Sequence, residues 1–251
     1  MKFDVLDAKM RVYETAHDHC VLPGVWMVAR LDGRGFTRLT KELHAFEAPY
    51  DQRFRDLMSD TCVHLMQCGF QALYAYTQSD EISVLLHRDE SAFGRKLRKL
   101  NSVLAGEASA IFSLGLQALG VFDCRICQFP TYVLVVEYFR WRQEDAARNA
   151  LNAHCYWAIR NEGLSVAEAT SKSEGLTTAQ KNELLFQSGI NFNEVPNWQK
   201  RGIGHYWQSY DKVGTNPLTG ESVATSRRRV VVDLELPMKE AYDEFIAQFE
   251  S

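Results

Sequence analysis

The pattern of apolar and polar positions along the first 130 residues predicts alternating strands and helices. An apolar and β-branched run at 24–33, ending in an Asp-Gly pair, predicts a buried strand. Apolar residues at helical spacing predict an amphipathic helix at 51–68. The pattern then predicts two strands at 70–86 around a turn at 77–80, a long helix at about 92–119 and a short strand at 124–130. The order is therefore strand, helix, strand, strand, helix, strand.

This order is typical of the split βαβ, or ferredoxin-like, arrangement of the α+β class. Its antiparallel sheet is covered by helices on one face, and it forms the palm of nucleotide polymerases and cyclases. We therefore predict a palm-like catalytic domain at 1–130. In such a sheet the end of the first strand lies beside the turn of the central hairpin, so Asp32 is expected to meet Asp80 and Glu81.

The remaining residues show a different pattern. Helices are predicted at 131–162 and 177–189, and the segments 202–213 and 224–236 are expected to pair as a hairpin across a loop at 216–220. The region 131–251 is accordingly predicted to be a helical and β-hairpin appendage packed on the palm.

Composition narrows the class of protein. The 251 residues are 46% hydrophobic and 24% charged, which is typical of soluble proteins. No apolar run approaches the roughly 20 residues that span a bilayer, and the first ten residues lack a signal-peptide pattern, so we expect a cytoplasmic protein without membrane contact. The net charge of −4 leaves only two basic segments, 94–99 and 226–229, for binding nucleic acid. Taken alone, each segment is better explained by a solvated helix face or a charged edge strand.

The six cysteines do not form a recognisable metal or disulfide pattern. Cys124 and Cys127 have a zinc-like spacing, but residues three apart on a strand face opposite sides and no second such pair follows. The segment His17 to Cys20 lacks a partner cluster. Reduced thiols without a metal role are therefore expected.

The adjacent acids Asp80 and Glu81 are the first candidates for a functional site. Carboxylates that meet at a strand end repel one another unless a hard cation neutralises them, and Mg²⁺ prefers such oxygen ligands. Asp32 and Asp80 are the candidate ligands of a two-ion site, with the Gly33 carbonyl as a further ligand. The glycines of the segment Gly33-Arg34-Gly35-Phe36 can also cradle phosphates through backbone N–H groups. The alternative is an ordinary Asp-Gly turn and a solvated hairpin.

Five segments together resemble the tRNA-His guanylyltransferase family, including its bacterial and archaeal guanylyltransferase-like members. They are VARLDGRGFTRLT (28–40), YTQSDEIS (76–83), FDCRICQFP (122–130), YFRWRQEDAARNALN (138–152) and TTAQKNELLF (177–186). Their order and separations match the family over about residues 20 to 210, which is far more specific than any one segment.

The resemblance implies an enzyme that adds nucleotides to the 5′ end of tRNA. It further implies a palm-like fold, two Mg²⁺ ions, ATP or GTP as the activating nucleotide and a homotetramer. Asp32, Gly33 and Asp80 match the family's metal ligands, and Glu81 is the acid beside them. The positions that match residues for binding nucleotide or triphosphate are Phe36, Ser79, Lys96, Lys99, Arg125 and Lys181.

Departures from the family favour one branch of it. The eukaryotic members carry His-Ile-Asn-Asn where this chain has Ala-Arg-Asn-Ala at 147–150, Thr37 replaces a histidine, and Ala48 replaces a lysine. These losses fit template-directed repair of truncated 5′ ends better than strict addition of one guanylate to tRNA-His. Two alternatives stay open: a palm-fold nucleotide cyclase, and a non-catalytic RNA-binding module.

Overall fold

The computed structural model describes residues 1–215 and 222–250. Its helices are α1 (Phe3–Thr15), α2 (Phe36–Arg38), α3 (Gln52–Gln67), α4 (Leu97–Leu116), α5 (Tyr132–Asn161), α6 (Val166–Ser173), α7 (Thr178–Gln187), α8 (Asn197–Arg201) and α9 (Glu240–Ala247). Its strands are β1 (Trp26–Gly33), β2 (Ala72–Gln78), β3 (Glu81–Leu86), β4 (Phe122–Phe129), β5 (Ile203–Thr215) and β6 (Ser222–Asp233). The loop predicted at 216–220 lies outside the described residues.

The strands form one antiparallel sheet in the order β4-β1-β3-β2-β5-β6. The first four strands, with α3 and α4 between them, have the predicted βαββαβ order, so the palm-like fold is confirmed. β5 and β6 pair as the predicted hairpin, but β5 also pairs with β2 over residues 203–206 and extends the sheet. The division of the chain at residue 130 stays a prediction.

The two faces of the sheet are covered by different helices. Met27, Ala29 and Leu31 of β1 pack into a core with α3 and α4. Because side chains alternate along a strand, Trp26 and Val28 face the other way, into a second core formed with α5 and α9. Arg30 and Asp32, and Glu81 opposite Asp32, consequently project from the face that α5 covers.

Several helices differ from the sequence prediction. The long helix begins at Leu97 rather than 92, because Phe93 and Gly94 have φ values of +55° and +62° that end the preceding turn. The helices α1, α6, α8 and α9 were not predicted, and none of the residues of α1 is buried. Within residues 1–215 and 222–250, the helices are all too short or too polar to cross a membrane.

A buried histidine joins β5 to α3. His205 is 0% exposed, and its Nε2 atom shares a hydrogen bond of 2.9 Å with the Ser59 hydroxyl. Burial lowers the pKa of His205 to about 4, because the charged imidazolium would lose its hydration.

This lowered pKa predicts that the protein loses stability in mild acid. The unfolded chain binds a proton at His205 below about pH 6.5 and the folded chain does not, so the free energy of unfolding falls as the pH drops from 6.5 towards 4. The loss from this group between pH 7 and pH 5 is about 2 kcal/mol. Urea unfolding of the parent and of His205→Gln at both pH values measures it. Equal pH dependence in the two proteins would contradict the assignment.

Candidate active site

The acidic residues predicted to meet do lie together at one edge of the sheet. Asp32 at the end of β1 is opposite Glu81 on one side and Asp123 on the other. The Gly33 N–H donates to the Asp80 carbonyl oxygen at 3.1 Å, which ties the hairpin turn to β1. The turn thus carries Asp80 to the strand end where Asp32 projects.

The geometry of the turn fixes Asp80. Ser79 has a φ of +52°, which is uncommon for a residue with a side chain. Its hydroxyl donates to Asp80 Oδ1 at 3.1 Å, while the Thr77 hydroxyl donates to the Glu81 carbonyl at 2.8 Å. The two side chains flanking the turn therefore hold it through local hydrogen bonds.

The charges at this edge are unevenly compensated. Burial, together with repulsion from Asp32 and Glu81, raises the pKa of the Asp80 carboxyl. In the described part of the chain, the arginines near this edge pair with Glu81 or Asp123 rather than with Asp32 or Asp80. Among the described residues, Asp32 and Asp80 thus lie close enough to repel each other and neither forms an ion pair, although Arg30 is within Coulombic range of Asp32.

This arrangement fits a magnesium site. Among residues 1–215 and 222–250, no three His, Cys, Asp or Glu side chains are grouped to hold a metal ion. Mg²⁺ does not need three, because it commonly takes one or two carboxylates and completes its shell with carbonyls, water and phosphate oxygens. Asp32, Asp80 and the Gly33 carbonyl are a donor set of that kind.

Glu81 has a different environment from Asp80. One of its carboxylate oxygens is bound by the Arg30 guanidinium, and the other lies 3.3 Å from Arg142 Nη2. The Arg142 side chain, 5% exposed on α5, also pairs with Asp145. Both Glu81 oxygens are engaged, so in this structure the residue joins the sheet to α5, and its predicted catalytic role stays untested.

The buried ring of Phe36 packs against the backbone of the glycine-containing segment at the end of β1. This ring is 2% exposed and packs against Phe112 and Phe122, so a nucleotide can reach Phe36 only through its backbone. A Cβ at Gly33 would lie 2.6 Å from the Phe36 ring, which explains the glycine. The Arg34 N–H donates to the Val121 carbonyl and is not free for phosphate, whereas Gly35 is exposed, with a φ of +72°.

The predicted basic residues lie in two places. Arg125 is exposed on β4 opposite Arg30, beside the acidic edge. Lys96 and Lys99 lie at the start of α4, where Lys96 pairs with Asp18 at 2.8 Å. A 20-residue helix is about 30 Å long, and α4 ends where β4 begins beside Gly33. The structure therefore does not bring this lysine pair to the acidic site of the same chain.

A cleft beside the hairpin turn was missed from the sequence. Its wall is aromatic and comes from four separate regions of the chain. It is lined by Thr40, Lys41, Phe46, Glu47, Ala48, Pro49, Tyr50, Asp51, Phe54, Arg55, Met58, Thr77, Gln78, Ser79, Trp157, Trp198, Gln199 and Ile203. Tyr50 packs against Trp198, and burial raises the pKa of Tyr50 to about 12. Aromatic residues in helical patterns indicate core packing, so no local signal identified the cleft.

Lys181 lies in a neighbouring groove. Its Nζ donates to Asn152 Oδ1 at 2.8 Å, and the groove shares Lys41 and Trp157 with the aromatic cleft. Lys41 lies over the Trp157 ring at 5.7 Å from its centroid. Lys181 is thus separated from Ser79 by the Trp157 and Lys41 side chains that the two cavities share.

Comparison with known proteins gives a consistent match. A family model described as tRNAHis guanylyltransferase matches residues 7–130, and one described as Thg1 C terminal domain matches residues 133–240. The probable tRNA(His) guanylyltransferase of Mus musculus is 32% identical over 232 residues, which are 86% of this chain and 77% of the relative. The probable enzyme of Drosophila melanogaster is 33% identical over 74% of this chain and 68% of its own.

Solved structures agree. A bacterial tRNA(His) guanylyltransferase (Thg1)-like protein in complex with GTP has a TM-score of 0.74 and 29% identity, covering 98% of this chain and 99% of its own. The complex of such a protein with ATP gives the same TM-score and identity, with 97% and 98% covered. The tRNA(His) guanylyltransferase of Saccharomyces cerevisiae has a TM-score of 0.69 and 26% identity, covering 77% and 90%.

The ion pairs of Glu81 predict a large stability effect at Arg142. Arg142→Met leaves two partly buried carboxylates short of a cation, so we expect the free energy of unfolding to fall by about 3 kcal/mol. Arg148→Met is the matched control, since Arg148 pairs with the same Asp145 but is 73% exposed; its expected effect is under about 0.5 kcal/mol. Urea unfolding measures both. Equal losses would show that the Arg142 pairs are not the stabilising contacts.

Proposed function

Because the chain belongs to the tRNA(His) guanylyltransferase family, we propose that it extends the 5′ end of tRNA with Mg²⁺ and lets base pairing choose the added nucleotide. Family membership makes it a nucleotidyltransferase that adds to the tRNA 5′ end. The observation that carries the metal-dependent proposal is the meeting of Asp32 and Asp80, neither of which forms an ion pair among the described residues, beside an aromatic cleft.

Asp32, Asp80 and the Gly33 carbonyl are the proposed ligands. Bound Mg²⁺ ions would activate the attacking hydroxyl and stabilise the leaving oxygen. The protein's own contribution is to hold both carboxylates at one strand end. Glu81 remains paired with Arg30 and Arg142, which keeps the turn in register and limits the negative charge that the ions must balance.

The aromatic cleft is the proposed site for the nucleoside of the incoming triphosphate. Tyr50, Trp157 and Trp198 offer flat apolar surface to a base, and Ser79 stands where the cleft meets the acidic edge. The triphosphate would then lie towards the exposed Gly35 N–H and towards Arg125, whose exposed guanidinium is 3.9 Å from Asp123 and can also contact phosphate oxygens. Solved relatives in complex with GTP and with ATP support both nucleotides as substrates.

The proposed reaction has two steps. A 5′-monophosphate end is first activated with ATP or GTP, which releases pyrophosphate. The 3′-hydroxyl oxygen of an incoming nucleoside triphosphate then bonds to the activated 5′ phosphorus, and the activating nucleotide leaves. Such phosphoryl transfers need positioning and charge neutralisation more than covalent help from the protein.

We further propose that the protein acts as a homotetramer in the cytoplasm. Lys96 and Lys99 lie about one helix length from the acidic edge of their own chain. In a homotetramer, the lysine pair of one chain would instead bind the nucleotide at the acidic edge of another chain. Light scattering in solution tests the number of chains, and a monomer would leave the pair without this role.

Asp80→Asn is expected to lower the kcat of nucleotide addition at least about a thousandfold without unfolding the protein. The reason is that it removes a metal ligand and also relieves carboxylate repulsion. Asp123→Asn is the matched control, because Asp123 lies opposite Asp32 but is 67% exposed, and most activity should remain. Labelled nucleotide incorporation into tRNA measures both. Persisting activity in Asp80→Asn, or pyrophosphate release from triphosphates without RNA, would overturn the proposal.

Base pairing should choose the added nucleotide. The chain lacks the family's histidines at Thr37 and Ala147, whereas a nucleotide opposite the truncated 5′ end can orient the incoming base while the protein holds only its phosphates. On tRNAs lacking their first nucleotide, C in the opposing strand should direct G, and A should direct U. Comparison of kcat/KM for each triphosphate on each template tests this. Preference for G opposite A or U would instead indicate addition of a single guanylate to tRNA-His.

A further inference from the structure

The helix α1 (Phe3–Thr15) is exposed and carries large apolar side chains. None of its residues is buried. The exposed fractions of Phe3, Leu6, Met10 and Tyr13 are 78%, 42%, 46% and 74%. Large apolar side chains grouped on an exposed surface indicate contact with a partner.

These four apolar residues lie along one line of the helix. They are separated by three, four and three positions, which is the spacing of the a and d positions of a heptad repeat. We call Phe3, Leu6, Met10 and Tyr13 the α1 seam. Side chains in such a line pack between those of a second helix lying alongside. The α1 seam is therefore a surface for another helix.

The charged residues beside the α1 seam have opposite signs on its two sides. Lys2, the N-cap residue, and Lys9 occupy g positions, whereas Asp7 and Glu14 occupy e positions. In a parallel pair of helices, a g residue of one helix faces the e residue of the following heptad in the other. Lys2 would then face Asp7 of the partner subunit, and Lys9 would face Glu14 of the partner subunit.

The same charges oppose an antiparallel pair. In that orientation g residues face g residues and e residues face e residues, so lysine meets lysine and acid meets acid. In the part of the chain that the structure describes, Lys2, Lys9 and Glu14 form no ion pair, and Asp7 uses only Oδ2, which Arg11 binds at 2.7 Å. These groups are thus available to a parallel partner.

The composition of α1 favours a second copy of the chain over other partners. Residues 3–15 contain three acids and two bases. This helix therefore has no net positive charge to attract RNA or anionic lipid headgroups. Its flanks are instead complementary to themselves, and a twofold contact between identical chains requires a self-complementary surface.

The segment that follows α1 attaches it to the start of α4. The Leu97 N–H donates to the His19 carbonyl at 2.9 Å, and Asp18 pairs with Lys96 at 2.8 Å. In a parallel pair the two α1 helices end side by side, so the starts of the two α4 helices lie at the same end of the pair. The contact between α1 helices would therefore also bring the Lys96 residues of two chains towards one twofold axis.

We propose that α1 pairs in parallel with α1 of a second copy of the chain through the α1 seam. This inference rests on the proposed homotetramer and names one of its contacts. A helix of 13 residues is about 20 Å long, which is too short to hold two chains together by itself. The α1 pair thus acts with other contacts, and a tetramer built on twofold axes has more than one kind of interface.

Charge variants test the pairing. Lys2→Glu/Lys9→Glu makes both flanks of the α1 seam acidic, and Asp7→Lys/Glu14→Lys makes both basic. Each variant should associate with itself at least about tenfold more weakly than the parent, because attraction at every g–e contact becomes repulsion. An equimolar mixture of the two should regain the parent's association, since each acidic flank then faces lysine. Light scattering over a concentration series measures the dissociation constants.

A matched control separates pairing from a general effect of charge. Ala8→Glu/Thr15→Glu adds acids at f positions, on the side of α1 away from the seam, and should stay within about threefold of the parent. Circular dichroism checks that all the variants are folded. Equal association of the parent and both charge variants would overturn the proposal, and so would an equal loss in the control.

Cross-linking tests the orientation of the pair. Phe3→Cys puts thiols across the seam from each other in a parallel pair, but about 15 Å apart in an antiparallel one. Val5→Cys, which lies off the seam, is the control, and both are made with Cys20→Ala because Cys20 is exposed. A short bismaleimide should link two chains of Phe3→Cys and not of Val5→Cys. Absence of the Phe3→Cys link, or equal linking of both, would overturn the parallel pair.

The mass of the parent separates this inference from the proposed function. A parent that stays monomeric at every concentration would overturn the α1 pair. A parent of two chains that the charge variants convert to monomers would support the α1 pair and contradict only the homotetramer. If the parent proves inactive on tRNA while the charge variants still lose association, the α1 pair stands and only the proposed activity fails.

Discussion

The repulsion between Asp32 and Asp80 is the constraint on which the structure of the acidic edge depends. The backbone forces the two carboxylates together, because the Gly33 N–H is bonded to the Asp80 carbonyl and β1 pairs with β3 immediately beyond the turn. Two neighbouring like charges raise the free energy of the protein unless a cation is present. The fold therefore keeps an unfavourable pair of charges at one strand end, and other contacts must stabilise the turn.

Those contacts come mainly from Glu81 and α5. Glu81 follows Asp80 directly, yet its charge is balanced by Arg30 from the sheet and Arg142 from the helix. The two adjacent acids thus differ in environment: among the described residues Asp80 forms no ion pair, whereas Glu81 forms two. Tyr138 and Phe139 are buried between α5 and the sheet, and this packing positions Arg142 of α5 next to Glu81. The helix α5 therefore supplies both the core residues that pack on the sheet and the arginine that balances the charge of Glu81.

The local pattern of apolar and polar residues was sufficient to predict the order of strands and helices in the palm-like region. Period-two and helical spacings gave the βαββαβ order, and that topology placed Asp32 beside Asp80. Pattern gave no access to contacts between distant segments, such as β5 adding to β2, Arg142 reaching Glu81, or Tyr50 meeting Trp198. The distance of Lys96 from the acids was not predictable for a similar reason, because sequence order does not show that the start of α4 lies at the far end of the sheet; its role in nucleotide binding stays a prediction.

The strand β2 links the acidic edge to the C-terminal hairpin. One of its ends leads into the turn that carries Asp80, and its length pairs with the start of β5. Gly202 permits this junction, since a Cβ there would lie 2.4 Å from the Tyr76 hydroxyl and its φ is +73°. Because backbone hydrogen bonds fix both registers, the position of β5 relative to Asp80 cannot change without breaking the ladder. A change of register at β2 would therefore displace the C-terminal hairpin relative to the acidic edge, so the palm-like strands and this hairpin cannot be positioned independently.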